Sequence, residues 1–85
     1  MSRSLHVIAA EIEADYASRG KPVHPYAEPY VTAMRSLGSI TENYYADSGE
    51  TIVLYALSNL TTWRGETARR IKAELKSMLP PSYSR

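Results

Sequence analysis

The residues best suited to bind a ligand lie in one stretch, TTWRGETARRIKAELK, which runs from Thr61 to Lys76. This stretch holds five basic side chains, two acidic ones and the single tryptophan of the chain. Basic side chains neutralise phosphates, whereas tryptophan and arginine dominate the binding energy of many protein interfaces. The stretch therefore indicates binding to nucleic acid or to another protein.

On a helix, the five basic groups of this stretch do not form a single patch. Arg69, Lys72 and Lys76 share one face, whereas Arg70 is expected to pair with the glutamates four residues before and after it. The opposite sector, which is the predicted core face, contains Arg64, Ala68, Ile71, Leu75, Met78 and Leu79.

The face formed by Arg69, Lys72 and Lys76 is the candidate nucleic-acid-binding surface. Three cations on one helix face are also common on ordinary solvated helices. The sequence pI is near 8.0, whereas nucleic-acid-binding domains usually exceed about 9. Nucleic-acid binding is therefore the second hypothesis rather than the first.

The candidate protein-binding surface combines Trp63 and Arg64 with three tyrosines of the connecting segments, Tyr26, Tyr44 and Tyr45. Aromatic residues and arginine are enriched in interfaces, and an exposed Trp–Arg pair is a typical binding anchor. The structural alternative is that Trp63 and Arg64 clamp the connector at the start of a helix. Both interpretations stay open from the sequence.

Residues able to support catalysis or metal binding are sparse. The two histidines, His6 and His24, have no spacing that suggests a metal pair. Glu11 and Asp15 form a carboxylate pair at helical spacing, which is typical of a solvated helix face. Since there is also no glycine-rich phosphate loop or nucleophile elbow, we expect a protein that is not an enzyme and has no metal or cofactor.

The composition is that of one soluble domain. The chain has 85 residues, 44% of them hydrophobic and 22% charged, and no cysteine. Its longest apolar run, Ile52–Leu57, is far shorter than the roughly 18 to 20 residues that span a bilayer, and the N-terminus lacks the apolar run of a signal peptide. We expect one helical domain over residues 1–79, a flexible tail over residues 80–85, and a location in the cytoplasm.

The charge is unevenly distributed along the chain. Residues 1–50 carry four basic and seven acidic side chains, whereas residues 51–85 carry six basic and two acidic ones. This asymmetry either indicates an anionic partner or lets an acidic helix pack against a basic one.

Hydrophobic periodicity predicts the elements that position these residues. Leu5 to about Arg19 is an amphipathic helix that ends at Gly20, and Lys21–Pro29 is a stiff proline-rich connector. A second helix is predicted from Tyr30 to about Leu37, with Pro29 as its first residue.

The second half of the chain is expected to contain two longer helices. Ser39–Glu42 has a capping-box pattern that predicts a short helix or turn, and Asp47 is the predicted cap of a central helix ending near Leu60. The segment TIVLYAL within it is also β-prone, so a strand is the alternative there. The last helix is predicted from Thr62 or Trp63 to Leu79. These elements predict an all-α bundle of four to five helices.

Three segments resemble known proteins. They are PYVTAMRSL (Pro29–Leu37), DSGETIVLYALSN (Asp47–Asn59) and TWRGETARRIKAELK (Thr62–Lys76), which are similar to a group of small proteins of bacteriophages that infect actinobacteria, mycobacteriophages in particular. The similarity covers roughly Tyr26 to Leu79. It implies a phage origin and expression in the bacterial cytoplasm, and it supplies no activity, cofactor or catalytic residue.

The first hypothesis is accordingly a small non-catalytic phage protein that binds a host or phage protein. The second is a nucleic-acid-binding regulator that uses the basic face. A third is a homodimer formed through an exposed apolar strip of the central helix.

Overall fold

The computed structural model describes residues 3–80, and in this range four helices surround one hydrophobic core. A two-residue antiparallel hairpin is inserted between the second and third helices. In chain order the elements are α1 (Leu5–Ser18), α2 (Glu28–Met34), β1 (Asn43–Tyr44), β2 (Asp47–Ser48), α3 (Gly49–Ser58) and α4 (Glu66–Met78). The protein is thus mostly helical, with a minimal sheet that the sequence did not predict.

Helix α1 buries the apolar stripe that its periodicity predicted. Its buried side chains are Leu5, Ile8, Ala9, Ile12 and Tyr16. The helix ends just before Gly20, whose φ of +72° is readily adopted by glycine. The predicted position and stop signal of α1 are therefore confirmed.

Helix α2 is shorter than predicted and begins one residue before Pro29, its predicted first residue. It starts at Glu28, so Pro29 occupies its second position, where no backbone donor is needed. The helix ends at Met34, and a turn then leads to the buried Leu37. The carbonyl of Leu37 accepts a 3.0 Å hydrogen bond from the backbone N–H of His6, which joins this turn to the first turn of α1.

The Ser39–Glu42 segment forms a turn rather than the short helix that its capping-box pattern allowed. Ser39 Oγ accepts from the N–H of Thr41 at 3.0 Å, and Glu42 Oε1 accepts from the N–H of Gly38 at 3.1 Å. The side chains that were expected to cap a helix therefore bind local turn amides instead. The following residues pair as strands, with Asn43 opposite Ser48 and Tyr44 opposite Asp47.

Helix α3 confirms the helical interpretation of TIVLYAL over the strand alternative. Its cap is Ser48 rather than the predicted Asp47, and Ser48 Oγ accepts from the N–H of Thr51 at 3.1 Å. Gly49 follows in a buried position, where an added Cβ would lie 2.5 Å from the carbonyl oxygen of Ile40. Only glycine allows the backbone of the Ser39–Glu42 turn to approach α3 this closely.

Helix α4 begins at Glu66, three to four residues later than predicted. Gly65 precedes it with a φ of +117°, a conformation that other residues rarely adopt. The helix buries Ala68, Ile71 and Leu75, which belong to the predicted core face. Trp63 and Arg64 therefore lie in the connector before the helix, and the helical projection does not apply to them.

The core receives side chains from the connectors as well as from the helices. Val23, Leu60 and Trp63 are buried together with the apolar faces of all four helices. Every fully buried residue among residues 3–80 is apolar or aromatic. Residues 3–80 thus share one core, and most of the predicted C-terminal tail, residues 81–85, lies outside the described residues. None of the described helices is both long and apolar enough to cross a bilayer.

Candidate functional site

Trp63 is part of the core, which corrects its interpretation as an exposed binding anchor. Only 2% of the residue is exposed, and its ring stacks on Tyr16 with centroids 5.7 Å apart. The indole Nε1–H donates a 2.7 Å hydrogen bond to Oδ2 of Asp15. The structure favours the alternative, in which Trp63 clamps the connector before α4 onto α1.

Arg64 is exposed and does not form a binding pair with Trp63. Its backbone carbonyl accepts a hydrogen bond from Nη2 of Arg19. Its side chain was predicted on the apolar sector of a helix, but Arg64 lies before the helix and Gly65 redirects the chain between them. The side chain of Trp63 consequently lies in the core, whereas that of Arg64 lies in solvent.

The predicted basic face is only partly free. Lys72 is half-buried, and its Nζ donates a hydrogen bond to the Trp63 carbonyl and lies 5.9 Å from the centroid of the Trp63 ring. Burial lowers the pKa of Lys72, and the positive charges of Lys76 and Arg64 lower it further. Arg69 Nη2 lies 3.9 Å from Glu66 Oε1, and both side chains are largely exposed. Of the predicted face, Lys72 is therefore engaged by the connector before α4, and Arg69 lies near an acidic side chain.

A shallow cleft lies at the start of α4. It has a volume of about 300 Å³, and Arg64, Arg69 and Lys72 line it together with Trp63 and Gly65. The cleft brings two members of the predicted basic face together with Arg64, whereas Lys76 is not among its lining residues. Arg64 lies before the helix and Gly65 has a φ of +117°, so a helical projection could not predict this grouping.

Arg70 has a different partner from the one predicted. Its guanidinium binds Oε2 of Glu11 on α1, rather than the glutamates on its own helix. Arg3 joins the same group, since its Nη1 lies 2.6 Å from Oε1 of Glu11 and its Nη2 lies 2.6 Å from Oε1 of Glu74. Hydrogen bonds from Arg70 and Arg3 lower the pKa of Glu11, and those from Arg3 lower the pKa of Glu74. The acidic α1 thus packs against the basic α4.

The hairpin carries two adjacent tyrosines, of which Tyr44 in β1 is half-buried against the core and Tyr45 lies in the turn. Tyr45 is 89% exposed and has a φ of +55°, the only positive φ of a non-glycine residue among residues 3–80. The rings of Tyr44 and Tyr45 meet edge to face with centroids 4.8 Å apart. A bulky residue at positive φ is an uncommon arrangement that the surrounding structure has to enforce.

Tyr26 belongs to a separate surface. It is 74% exposed, its ring lies 5.4 Å from that of His24, and its N–H donates to Nδ1 of His24 at 3.1 Å. The nearby α2 residue Tyr30 contacts Tyr55 in the C-terminal half of α3, whereas the hairpin adjoins the N-terminal end of α3. The structure therefore does not unite the three loop tyrosines in one site.

Sequence reasoning missed a second cleft of about 390 Å³. It lies between the C-terminal end of α1, the proline-rich connector and the segment before α4. Two stretches far apart in sequence, residues 16–25 and 62–63, form it, so no local motif could reveal it. Within residues 3–80, no group of three or more histidine and acidic side chains is arranged to hold a metal ion.

No known protein family matches the chain, and no curated protein or solved structure is significantly similar to it. The geometry described above is consequently the basis for inferring a function.

Proposed function

We propose that the protein is a small non-catalytic module that binds another protein through the tyrosine hairpin, defined here as residues 43–48. The observation that carries this proposal is Tyr45, which is 89% exposed at a φ of +55°. An outward-pointing tyrosine offers a large amphipathic contact surface with few rotatable bonds. Such a side chain on a fixed turn loses little conformational entropy on binding.

Backbone contacts at the base of the hairpin fix its position relative to α3. The N–H of Gly49 donates a 2.7 Å hydrogen bond to the carbonyl of Glu42, which closes the base of the hairpin. Ser48 simultaneously belongs to β2 and caps α3, so the hairpin and the helix are continuous. These contacts support a preorganised surface rather than a mobile loop.

The proposed partner is a host or phage protein in the bacterial cytoplasm. This part of the proposal rests on the resemblance of residues 26–79 to proteins of actinobacterial phages. No catalytic constellation is needed for this role, and the scarcity of histidines and of converging acidic groups fits a binding protein. Exposed Tyr26 and Arg64 lie outside the hairpin and are not required for the contact.

The proposal is tested by comparing three forms of the protein as baits in an actinobacterial lysate. Tyr45→Gly removes the ring and suits the positive φ, so the hairpin keeps its conformation. Val7→Ala trims an exposed apolar side chain on α1 and serves as the matched control. We expect proteins captured by the natural sequence and by Val7→Ala to be depleted at least about tenfold with Tyr45→Gly, as for loss of a hot spot.

Equal capture by the natural protein and by Tyr45→Gly, measured by quantitative mass spectrometry, would contradict the proposal. Light scattering at two protein concentrations separates self-association from binding to a different protein. A mass that rises with concentration and falls for Tyr45→Gly would identify a second copy of the chain as the partner.

Binding of nucleic acid is the second candidate function. It is supported by the cleft at the start of α4, which Arg64, Arg69 and Lys72 line, and where the charge of Arg64 acts on Lys72. If this cleft contacts phosphates, the logarithm of the binding constant should fall with the logarithm of the salt concentration with a slope of about −2 to −3.

Fluorescence anisotropy of labelled DNA across a range of salt concentrations measures this slope. We expect Arg69→Gln to reduce it by about 1, whereas Lys76→Gln, which lies outside the cleft lining, leaves it unchanged. The absence of binding at low salt, or a flat salt response, eliminates this function.

A further inference from the structure

The cleft beside the proline-rich connector has apolar and aromatic walls. Tyr16 and Trp63 contribute their stacked rings, and Pro22 and Pro25 contribute the connector side. Its volume of about 390 Å³ lies at the small end of the range for pockets that hold small molecules. The walls therefore suit a compact ligand with an apolar body.

The polar groups around this cleft are those that recognise an anion. Arg19, Lys21 and His24 line it, and no acidic residue does. Lys21 is exposed and has no ion pair within residues 3–80. Arg19 is already engaged, since its Nη2 lies 3.1 Å from Asp15 Oδ2 and also donates to the Arg64 carbonyl. Lys21 is thus the cation that remains available to a ligand.

His24 also lines the cleft and carries a second donor group. Its Nδ1 accepts the N–H of Tyr26, so in the neutral ring the proton lies on Nε2. Together with Lys21, this gives two donor groups on the connector and no competing acceptor from an acidic side chain.

A second, independent observation is the hydroxyl of Tyr16. The residue is 92% buried, as only 8% of it is exposed, and its Oη has no hydrogen-bond partner within residues 3–80. Burial raises the pKa of this hydroxyl, and the His24 backbone and Arg19 oppose the shift only in part. Tyr16 is therefore a protonated donor at neutral pH that lacks an acceptor, which is an unfavourable state for a buried polar group.

We propose that this cleft binds a small apolar organic acid. The apolar body packs against the prolines and the stacked rings, and the carboxylate faces Lys21 and accepts a hydrogen bond from Tyr16. Because Oη is covered in this state, the connector moves outward to admit a carboxylate oxygen. This movement has to preserve or replace the hydrogen bonds that the Lys21 N–H donates to the Tyr16 carbonyl and the Glu28 N–H donates to the His24 carbonyl.

Trp63 provides the readout, since it is the single tryptophan of the chain and lies in the cleft wall. Phenylbutyrate is the probe, and phenylbutanol is its uncharged counterpart. We expect phenylbutyrate to change the tryptophan fluorescence in a saturable manner and to bind at least about tenfold more tightly than phenylbutanol, as for a charge-assisted contact.

Two variants assign the binding to this cleft. Tyr16→Phe removes only the hydroxyl and should weaken phenylbutyrate binding about tenfold, and Lys21→Gln should weaken it severalfold. Tyr45→Gly should bind phenylbutyrate like the natural protein, so failure of the proposed protein-binding role and failure of this site are distinguishable. Circular dichroism confirms that each variant is folded.

Three results would overturn the proposal. The first is no saturation by phenylbutyrate up to about 10 mM, the weak limit of specific small-ligand binding. The second is equal binding of phenylbutanol, or of phenylbutyrate to Tyr16→Phe. The third is much tighter binding of a peptide with a free C-terminal phenylalanine than of phenylbutyrate, which would assign the cleft to a protein partner.

Discussion

Trp63 Nε1 donates a 2.7 Å hydrogen bond to Asp15 Oδ2, and this contact joins residues 48 positions apart. The bond ties the connector before α4 to the C-terminal half of α1. The indole N–H is a donor without acceptor capacity, so its burial depends on the Asp15 carboxylate.

Asp15→Ala should therefore destabilise the fold by about 1–3 kcal/mol, because it leaves a buried donor unpaired. Asp15→Asn is the control, since its side-chain oxygen can still accept from Trp63, and it should lose less stability than Asp15→Ala. The free energy of unfolding of both variants is measured by urea denaturation, with tryptophan fluorescence as the signal. Equal stability of Asp15→Ala and the natural protein would show that this hydrogen bond contributes nothing net.

Gly49→Ala should destabilise the protein by about 1–3 kcal/mol or more, as for other overpacked sites. The reason is the backbone carbonyl of Ile40, which would lie 2.5 Å from the added methyl group and cannot move away as a side chain could. Gly20→Asn is the control, since nothing lies within 4 Å of its added Cβ and asparagine tolerates its positive φ. In thermal unfolding, the midpoint temperature should decrease strongly for Gly49→Ala and change little for Gly20→Asn.

Tyr16→Phe should stabilise the ligand-free protein by about 0.5–1.5 kcal/mol. The substitution keeps the stacked ring and removes a buried hydroxyl that has no partner within residues 3–80. The change is measured by chemical denaturation without added ligand. A loss of stability in Tyr16→Phe would mean that the hydroxyl is satisfied in solution, and it would weaken the case for the carboxylate site.

Acid should weaken the contact between α1 and α4. The pKa values of Glu11 and Glu74 are lowered in the folded state, so their stabilising contribution is present above the unfolded carboxylate pKa of about 4.3 and is lost as the pH falls through the lower folded values. These side chains are 31% and 23% exposed, so screening keeps the effect to about 1 kcal/mol or less per pair.

The pH effect is tested by thermal unfolding at neutral pH and near pH 3. Arg3→Met removes the partner shared by Glu11 and Glu74, so the difference in stability between the two pH values should become smaller. Arg35→Met, which removes a separate pair with Glu13, is the matched control for loss of one exposed arginine. An unchanged pH dependence in Arg3→Met would contradict the assignment.

Local patterns in the sequence predicted the parts of the fold that depend on local forces. The stripe from Leu5 to Tyr16 and the stop at Gly20 were readable because helical periodicity and glycine conformation act over a few residues. The apolar sector of α4 was readable for the same reason. The start of α4 was misplaced, since the residues before Gly65 continue the apolar pattern while packing as a connector.

The candidate site depended on contacts between distant residues, which a single sequence does not reveal. Arg70 had acidic neighbours on its own helix, yet it binds Glu11, which is 59 positions away. Trp63 next to an arginine has the composition of a binding anchor, and only its packing against α1 shows that it is buried. The exposure of Tyr45 was compatible with its loop position, but its positive φ required the hairpin to be known.

The Ser48 cap of α3 also bears on aggregation, because it stabilises a helix that contains an aggregation-prone segment. Seven consecutive residues, TIVLYAL (Thr51–Leu57), are uncharged, lack proline and are rich in β-branched and aromatic side chains, a composition typical of segments that assemble into amyloid. In the folded protein these residues lie in α3, so their backbone groups are hydrogen-bonded within the helix and cannot pair with other molecules. Unfolding of α3 would expose this aggregation-prone segment, and the Ser48 cap opposes that unfolding by about 1 kcal/mol.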